Sequence, residues 1–184
     1  MSAPAPSAPP TDQDLMLAFQ RGSVEAFEEI FRRYEQPIWG YFRRRMADAA
    51  RAEELMQDTF MAVLRGAERY QPAASFRTYL YAIAFNLLSA DRRDSRTAAA
   101  ASREPSPIAA PTIDDDLWMR QAVGRLDDLD RAVVMLREFD QLSYSEISDV
   151  LHIPVNTVRS RLFRAREALR RLLAPEPTLK GRDQ

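Results

Sequence analysis

Apolar side chains recur at intervals of three and four residues through two stretches of the chain, 12–96 and 117–173, and lose all period in the twenty residues between them. That spacing places one buried stripe on each of a succession of amphipathic helices. No segment alternates as a half-buried strand would, so the sequence predicts an all-α protein: two small helical domains joined by a flexible linker. The 184 residues suit two such domains. The segment between them, 97–116, holds six Ala and three Pro with one Arg against four acids, and reads as linker. The opening residues 1–11 and the tail 175–184 carry no core pattern and are expected to be disordered or frayed.

The chain has no cysteine, which excludes a disulfide framework, a thiolate metal site and a cysteine nucleophile together. Its one histidine, His152, leaves little for proton relay or metal binding. No catalytic residue, metal or cofactor is therefore expected. The first ten residues lack the basic start and apolar core of a signal peptide, and no run is long enough to span a membrane, so a cytoplasmic protein is expected.

In the first domain, Thr11 followed by Asp14 caps a short helix that Gly22 ends. Phe27, Ile30, Phe31, Tyr34, Ile38, Tyr41 and Phe42 form the buried stripe of a second, which Pro37 should kink or restart. A third helix, about 49–70, buries Ala52, Leu55, Met56, Phe60, Val63 and Ala67. A fourth, about 76–93, buries Phe76, Leu80, Ile83, Ala84 and Leu87. Glu54, Gln57, Asp58 and Met61 then fall at i, i+3, i+4 and i+7 on the outside of the third helix. They suit either a protein-docking stripe, since an exposed Met adapts to many partners, or a plain solvated face. The fourth helix leaves Arg77, Tyr81, Phe85, Asn86, Ser89, Arg92 and Arg93 on its other sides. Aromatics among arginines suit unstacked bases beside a phosphate track; alternatively Tyr79, Tyr81 and Phe85 are partly core.

The second domain is more specific. Asp127 can cap a helix that buries Val133, Val134 and Leu136, and Ser143-Tyr144-Ser145-Glu146 is a capping box opening a helix with Ile147, Val150 and Leu151 inside. His152-Ile153 makes a tight break, Pro154 fits a first helical position, and a long last helix follows. Two helices joined by so short a turn make a helix-turn-helix. In the last helix Val158, Leu162, Ala165, Leu169 and Leu172 share the core direction, leaving Asn156, Arg159, Ser160, Phe163 and Arg164 outside, near the N-terminus where recognition helices meet base edges. The formal charge of the whole chain is −1, yet residues 154–173 hold six Arg and one Glu while 127–149 hold seven acids and two Arg. A near-neutral protein thus carries a basic, DNA-reading face beside an acidic one.

Three segments together resemble a known family. AEELMQDTF (52–60), FRTYLYAIAFNLLSADRR (76–93) and LSYSEISDVLHIPVNTVRSRLFRAREAL (142–169) are similar to the two domains of bacterial RNA polymerase sigma factors of the extracytoplasmic-function (ECF) group. The resemblance implies a region-two domain over 12–96, which binds core polymerase and the minus-ten element, and a region-four domain over 117–174, which binds the minus-thirty-five element. It implies that Glu54, Gln57, Asp58 and Met61 meet the clamp helices of core polymerase, the flap being a further polymerase contact. It also implies that the loop from Gln71 to Ser75, with Asn86, captures a base flipped from the melting strand. Arg77, Tyr79, Tyr81, Arg92 and Arg93 would hold the opened strand; Asn156, Arg159, Ser160, Phe163 and Arg164 would read the minus-thirty-five duplex, with Tyr144 and Thr157 on phosphates. An anti-sigma factor is implied as a further partner, able to hold the protein at the inner membrane, and the linker would span the two promoter elements. The sequence departs from the family at Asp127, where proline is usual, at His152, where glycine is frequent, and in the loop before Phe76, which lacks a common glycine. Two other readings compete: a helix-turn-helix regulator that acts without polymerase, and an enzyme with a DNA-binding appendage, which would need a reactive constellation that residues 12–96 do not offer.

Overall fold

The computed structural model describes residues 9–102 and 117–173. The expectations for the opening residues, the tail and most of the linker lie outside them. Eight α-helices are described: α1 (Asp12–Gln20), α2 (Val24–Arg43), α3 (Ala49–Gly66), α4 (Phe76–Ser102), α5 (Leu117–Gly124), α6 (Asp128–Val134), α7 (Tyr144–Leu151) and α8 (Val155–Leu173). The all-α expectation holds, and no strand occurs among the described residues.

The first domain is a bundle of α1 to α4. Each helix start is fixed by a local side chain. Thr11 and Asp14 form the reciprocal capping box of α1, Ser23 caps α2, and Asp48 accepts from the Ala50 and Arg51 N–H groups at the start of α3. Gly22, at φ 100°, makes the turn between α1 and α2. Ile30, Ile38, Tyr41, Phe42, Ala52, Leu55, Met56, Phe60, Val63, Phe76, Leu80 and Ala84 are buried together. Phe27, Phe31 and Tyr34 pack at the edge of this core, where Phe31 meets Phe60 at 4.8 Å and Tyr34 meets Phe76 at 5.6 Å between ring centroids.

Three boundaries of the first domain differ from the sequence expectation, the first being the end of α3, which stops at Gly66 and tightens into a 3-10 turn over Ala67–Arg69 instead of reaching residue 70. Pro37 does not restart α2, which runs through it: the proline is exposed, so the carbonyl left without its helical partner lies on the solvent side. α4 ends at Ser102, not near Arg93, because the run from Thr97 to Ala101 is four parts alanine, the residue most tolerant of helix.

The second domain packs α5, α6 and α7 around α8. Val133, Val134, Leu136, Leu142, Ile147, Val150, Val158, Leu162 and Ala165 are buried. Leu172 was expected in this core but is 36% exposed, since α8 outruns the helices that cover it. Between α6 and α7 the backbone widens into a π turn, Met135–Phe139, closed by the Asp140 N–H on the Met135 carbonyl. The Ser143–Glu146 capping box opens α7, and His152 ends it in the left-handed conformation at φ 53°. Pro154 stands one place earlier than expected, just before α8, where its carbonyl accepts from the Thr157 and Val158 N–H groups.

The two domains touch. α7 lies against α4, and the turn after the π segment enters a recess of the first domain. There the Asp140 carboxylate, its side chain fully buried, bridges Arg44 at 2.7 Å and Arg45 at 2.5 Å. Arg77 donates to the main-chain carbonyls of Asp140 and Gln141 and lies 3.8 Å from Glu146. Ser75 donates to Glu146 at 3.3 Å, and Arg96 reaches Asp128 at 3.4 Å.

Candidate nucleic-acid and polymerase interfaces

The last helix is the simplest site to build. Ser148 donates to the Ile153 carbonyl at 2.6 Å, which with the left-handed His152 fixes the sharp turn from α7 into α8. Core residues Val158, Leu162 and Ala165 then set the rotation of α8. The opposite face presents Asn156, Arg159, Ser160, Phe163 and Arg164, all exposed, with Phe163 68% exposed. Asn156 accepts from Arg159 at 3.3 Å, and Ser160 donates to the Thr157 carbonyl. Tyr144 and Thr157 are half-buried. A shallow groove beside this face is lined by Arg137, Ser143, Tyr144, Ser145, Val155 and Arg159. Arg137 is held there by the Leu142 carbonyl at 2.8 Å and the Tyr144 ring at 5.2 Å. The sequence reading missed Arg137, whose signal was its place one capped helix upstream of the recognition helix.

On α3, Glu54, Gln57, Asp58 and Met61 are all exposed and share one face. Glu54 pairs with Arg51 at 2.7 Å, and Arg51 also reaches Asp91 on α4 at 2.8 Å, so the base of the stripe is tied to the bundle. Leu64, one turn further, is 36% exposed and extends the apolar part of the stripe. Beside it Trp39 of α2 is 38% exposed, in a groove with Glu35, Gln36, Glu53 and Met56. Trp39 went unnoticed in the sequence, although it falls off the spacing of the buried α2 stripe.

The minus-ten candidates separate into two groups. Gln71, Ser75, Asn86 and Arg93 are exposed. The loop that carries Gln71 and Ser75 is held by α1, where Gln13 donates to the Ala74 carbonyl at 3.0 Å and Gln20 to the Ala67 and Tyr70 carbonyls. Ser75 also accepts from the Thr78 N–H at 3.1 Å, as a cap on α4 does. The second group is not free in this arrangement. Tyr81 is 2% exposed and packs on Tyr41 at 5.7 Å, so of the two readings the sequence left open it takes the core one in this arrangement. Arg77, stacked 5.6 Å from the Tyr81 ring, is engaged by Asp140, Gln141 and Glu146. Arg92 turns into the cleft between the domains, lined also by Tyr41, Arg45, Asp128 and Arg131, and burial holds its pKa below the ordinary arginine value. Tyr79 is half-buried against Tyr70 at 5.2 Å, its hydroxyl close over Gly66 of α3, where an added Cβ would lie 2.7 Å away and push the hydroxyl aside. Burial also pushes the Tyr41 hydroxyl up to about 12, so the ring beneath Arg45 stays neutral.

Among the described residues no cluster of His, Cys, Asp or Glu could hold a metal ion, and no helix is long and apolar enough to cross a membrane. The fold and its exposed faces define a two-domain, helix-turn-helix DNA-binding protein. Residues 30–97 match the family model Sigma-70 region 2, and residues 116–169 match Sigma-70, region 4. The RNA polymerase sigma-H factor of Pseudomonas aeruginosa is 35% identical over 182 residues, covering 89% of this chain and 94% of that protein. The ECF RNA polymerase sigma-E factor of Escherichia coli K12 is 31% identical over 186 residues, covering 90% and 95%. Two solved structures share the fold. CnrH, in complex with the cytosolic domain of CnrY, superposes with a TM-score of 0.70 at 24% identity over 90% of this chain and 99% of its own. The sigma factor RpoE of Bartonella quintana, in complex with the anti-sigma factor NepR, gives 0.69 at 21% identity over 84% and 100%.

The chain belongs to the sigma-70 family of RNA polymerase sigma factors, in its ECF group. It is a non-catalytic factor that directs RNA polymerase to promoters, and a regulator acting without polymerase is set aside.

Proposed function

We propose that the two domains divide promoter recognition between them. α8 enters the major groove of the minus-thirty-five duplex, where Arg159 and Arg164 reach base edges, Asn156 and Ser160 add hydrogen bonds, and Phe163 packs on a thymine methyl. Tyr144 and Thr157 contact the flanking phosphates. The observation that carries this reading is Phe163: a ring 68% exposed amid Arg and Asn has no folding role, since the core lies on the opposite side of α8.

In the first domain the loop from Gln71 to Ser75, with Asn86, takes a base flipped from the minus-ten element, at a cost of a few kcal/mol in lost stacking that pocket contacts offset. Arg77, Tyr79, Tyr81, Arg92 and Arg93 hold the opened strand. Glu54, Gln57, Asp58 and Met61 dock on the clamp helices of core polymerase, with Leu64 and Trp39 widening the apolar contact, and the second domain meets the flap. The domains run over 12–96 and 117–174, with 97–116 spanning the promoter elements. An anti-sigma factor covers these surfaces when the protein is idle; the complexes of CnrH with CnrY and of the Bartonella RpoE with NepR support that partner. The working site is the cytoplasm, on the nucleoid with polymerase or at the inner membrane with an anti-sigma factor.

Transcription in vitro with core polymerase on fragmented genomic DNA tests the assignment of faces. Asp58→Arg is expected to abolish core binding and all new start sites. Arg159→Ala is expected to keep core binding but weaken discrimination at one minus-thirty-five base pair by about 1–3 kcal/mol. Unchanged start sites with Asp58→Arg would remove the α3 stripe from the polymerase interface.

A further inference from the structure

We propose that Arg44, Arg45 and Arg77 form a socket for a backbone phosphate of the opened promoter strand, and that Asp140 fills it as a stand-in while the chain is closed. This rests on the promoter reading above. It adds Arg44 and Arg45 to the DNA surface, together with a condition: the socket takes DNA only after the second domain has left.

What sits in the socket now resembles a phosphodiester in its acceptor pattern. Two carboxylate oxygens share one charge and each takes a guanidinium, Arg44 at 2.7 Å and Arg45 at 2.5 Å. Beside them, the main-chain oxygens of Asp140 and Gln141 both accept from Arg77. Guanidinium forks suit phosphate oxygens at least as well as carboxylate oxygens.

The first domain itself holds two of the three socket cations in place, whereas Arg44 lies over the Phe139 ring of the second domain at 5.9 Å. The Arg45 guanidinium lies 3.8 Å from the Tyr41 ring centroid and donates to the Tyr41 carbonyl at 2.9 Å. The Arg77 guanidinium lies over Tyr81. Yet among the described residues the carboxylates that pair with these three arginines all belong to the second domain: Asp140 for Arg44 and Arg45, Glu146 for Arg77. When the second domain departs, three cations lose their partners together, and an uncompensated cluster of this kind attracts an anion. The Tyr81 ring lies beneath Arg77, 5.6 Å from its guanidinium, so a base that follows its phosphate into the vacated socket would meet an aromatic face. Cation and ring side by side favour a nucleic-acid strand over an acidic peptide, which would use the charges alone.

Closure and strand binding then compete, and the closed chain binds in proportion to its open fraction. The test is fluorescence anisotropy of a short mixed-sequence single-stranded oligodeoxynucleotide, with hydrodynamic radius as the measure of opening, in the full chain. Asp140→Ala and the pair Arg44→Gln with Arg45→Gln each break the latch, so both should expand the chain. Only Asp140→Ala should bind the strand more tightly, by about tenfold, with log affinity falling more steeply against log salt by about 0.7, one single-strand phosphate. Adding the two Arg substitutions to Asp140→Ala should return affinity to the wild-type level. Circular dichroism monitors folding, and Asp140→Asn, which keeps the volume and loses the charge, takes over if the alanine variant is unfolded.

An expanded Asp140 variant with unchanged affinity, or a gain that survives loss of both arginines, overturns the proposal. So does full displacement of the strand by polyglutamate at equal charge, which would make the socket a protein site, or by inorganic phosphate alone, which would remove the strand from the account. Initiation by the wild type with core polymerase is measured in parallel. Its absence would count against the promoter reading itself, whereas initiation with unaltered oligonucleotide binding counts against the socket only.

Discussion

Single side chains set both the turns and the charge balance of this protein. Asp127 accepts from the Leu129 and Asp130 N–H groups at the start of α6 and also from Arg161 of α8 at 3.1 Å, so one carboxylate ties two helices. These backbone hydrogen bonds, with the Arg161 charge, hold its pKa below the ordinary value of 3.8. A carboxylate lowered by folding stabilises the folded state above its unfolded pKa, and the contribution is lost as pH falls through the folded value. Asp127→Asn keeps the cap and removes the charge. Chemical denaturation followed from neutrality down through the aspartate range should show a small change at neutral pH and a shallower acid limb in the variant; an identical acid limb would mean that Asp127 contributes only as a neutral cap.

At the scale of elements, capping chemistry explains which segments are helical and where they begin. The Ser143 hydroxyl accepts from the Glu146 N–H at 3.2 Å, and Glu146 accepts from the Ser143 N–H at 2.8 Å. Ser143→Ala should therefore cost about 1 kcal/mol of stability, read as a lower denaturation midpoint at unchanged slope; no change would show that packing against α8 alone holds α7. Local signals of this kind were legible in the sequence. The capping boxes at Thr11 and Ser143, the left-handed turn at His152 and the outward face of α8 all depend on residues a few positions apart. The π turn was not legible, because Met135–Phe139 carries the same apolar spacing as an ordinary helix. The burial of Tyr81 was only half legible, because its place on α4 fits an open face and a partly core one equally well. Asp140 and Arg45 lie 95 positions apart, and each alone reads as a solvated charge. Contacts of that length leave no local pattern.

Across the whole molecule, the closed arrangement and the working arrangement make opposite demands on the same surface. Arg77 serves the domain interface when the chain is closed and, in the function proposed above, the promoter strand when it is open. Breaking one partner of a buried pair leaves a charge without compensation, so Asp140, with its two arginines, is the contact on which closure should depend most. A chain that reads two separated promoter elements must part its domains. The measurement that tests this most directly is the interdomain distance by fluorescence energy transfer. The native sequence contains no cysteine, so one introduced pair labels cleanly, at exposed Arg65 on α3 and exposed Arg171 on α8. The account predicts efficient transfer in the free chain, reduced transfer in the free Asp140→Ala chain, and low transfer for both once core polymerase and a promoter are bound. Transfer that stays as high in an initiating complex as in the free chain would contradict it.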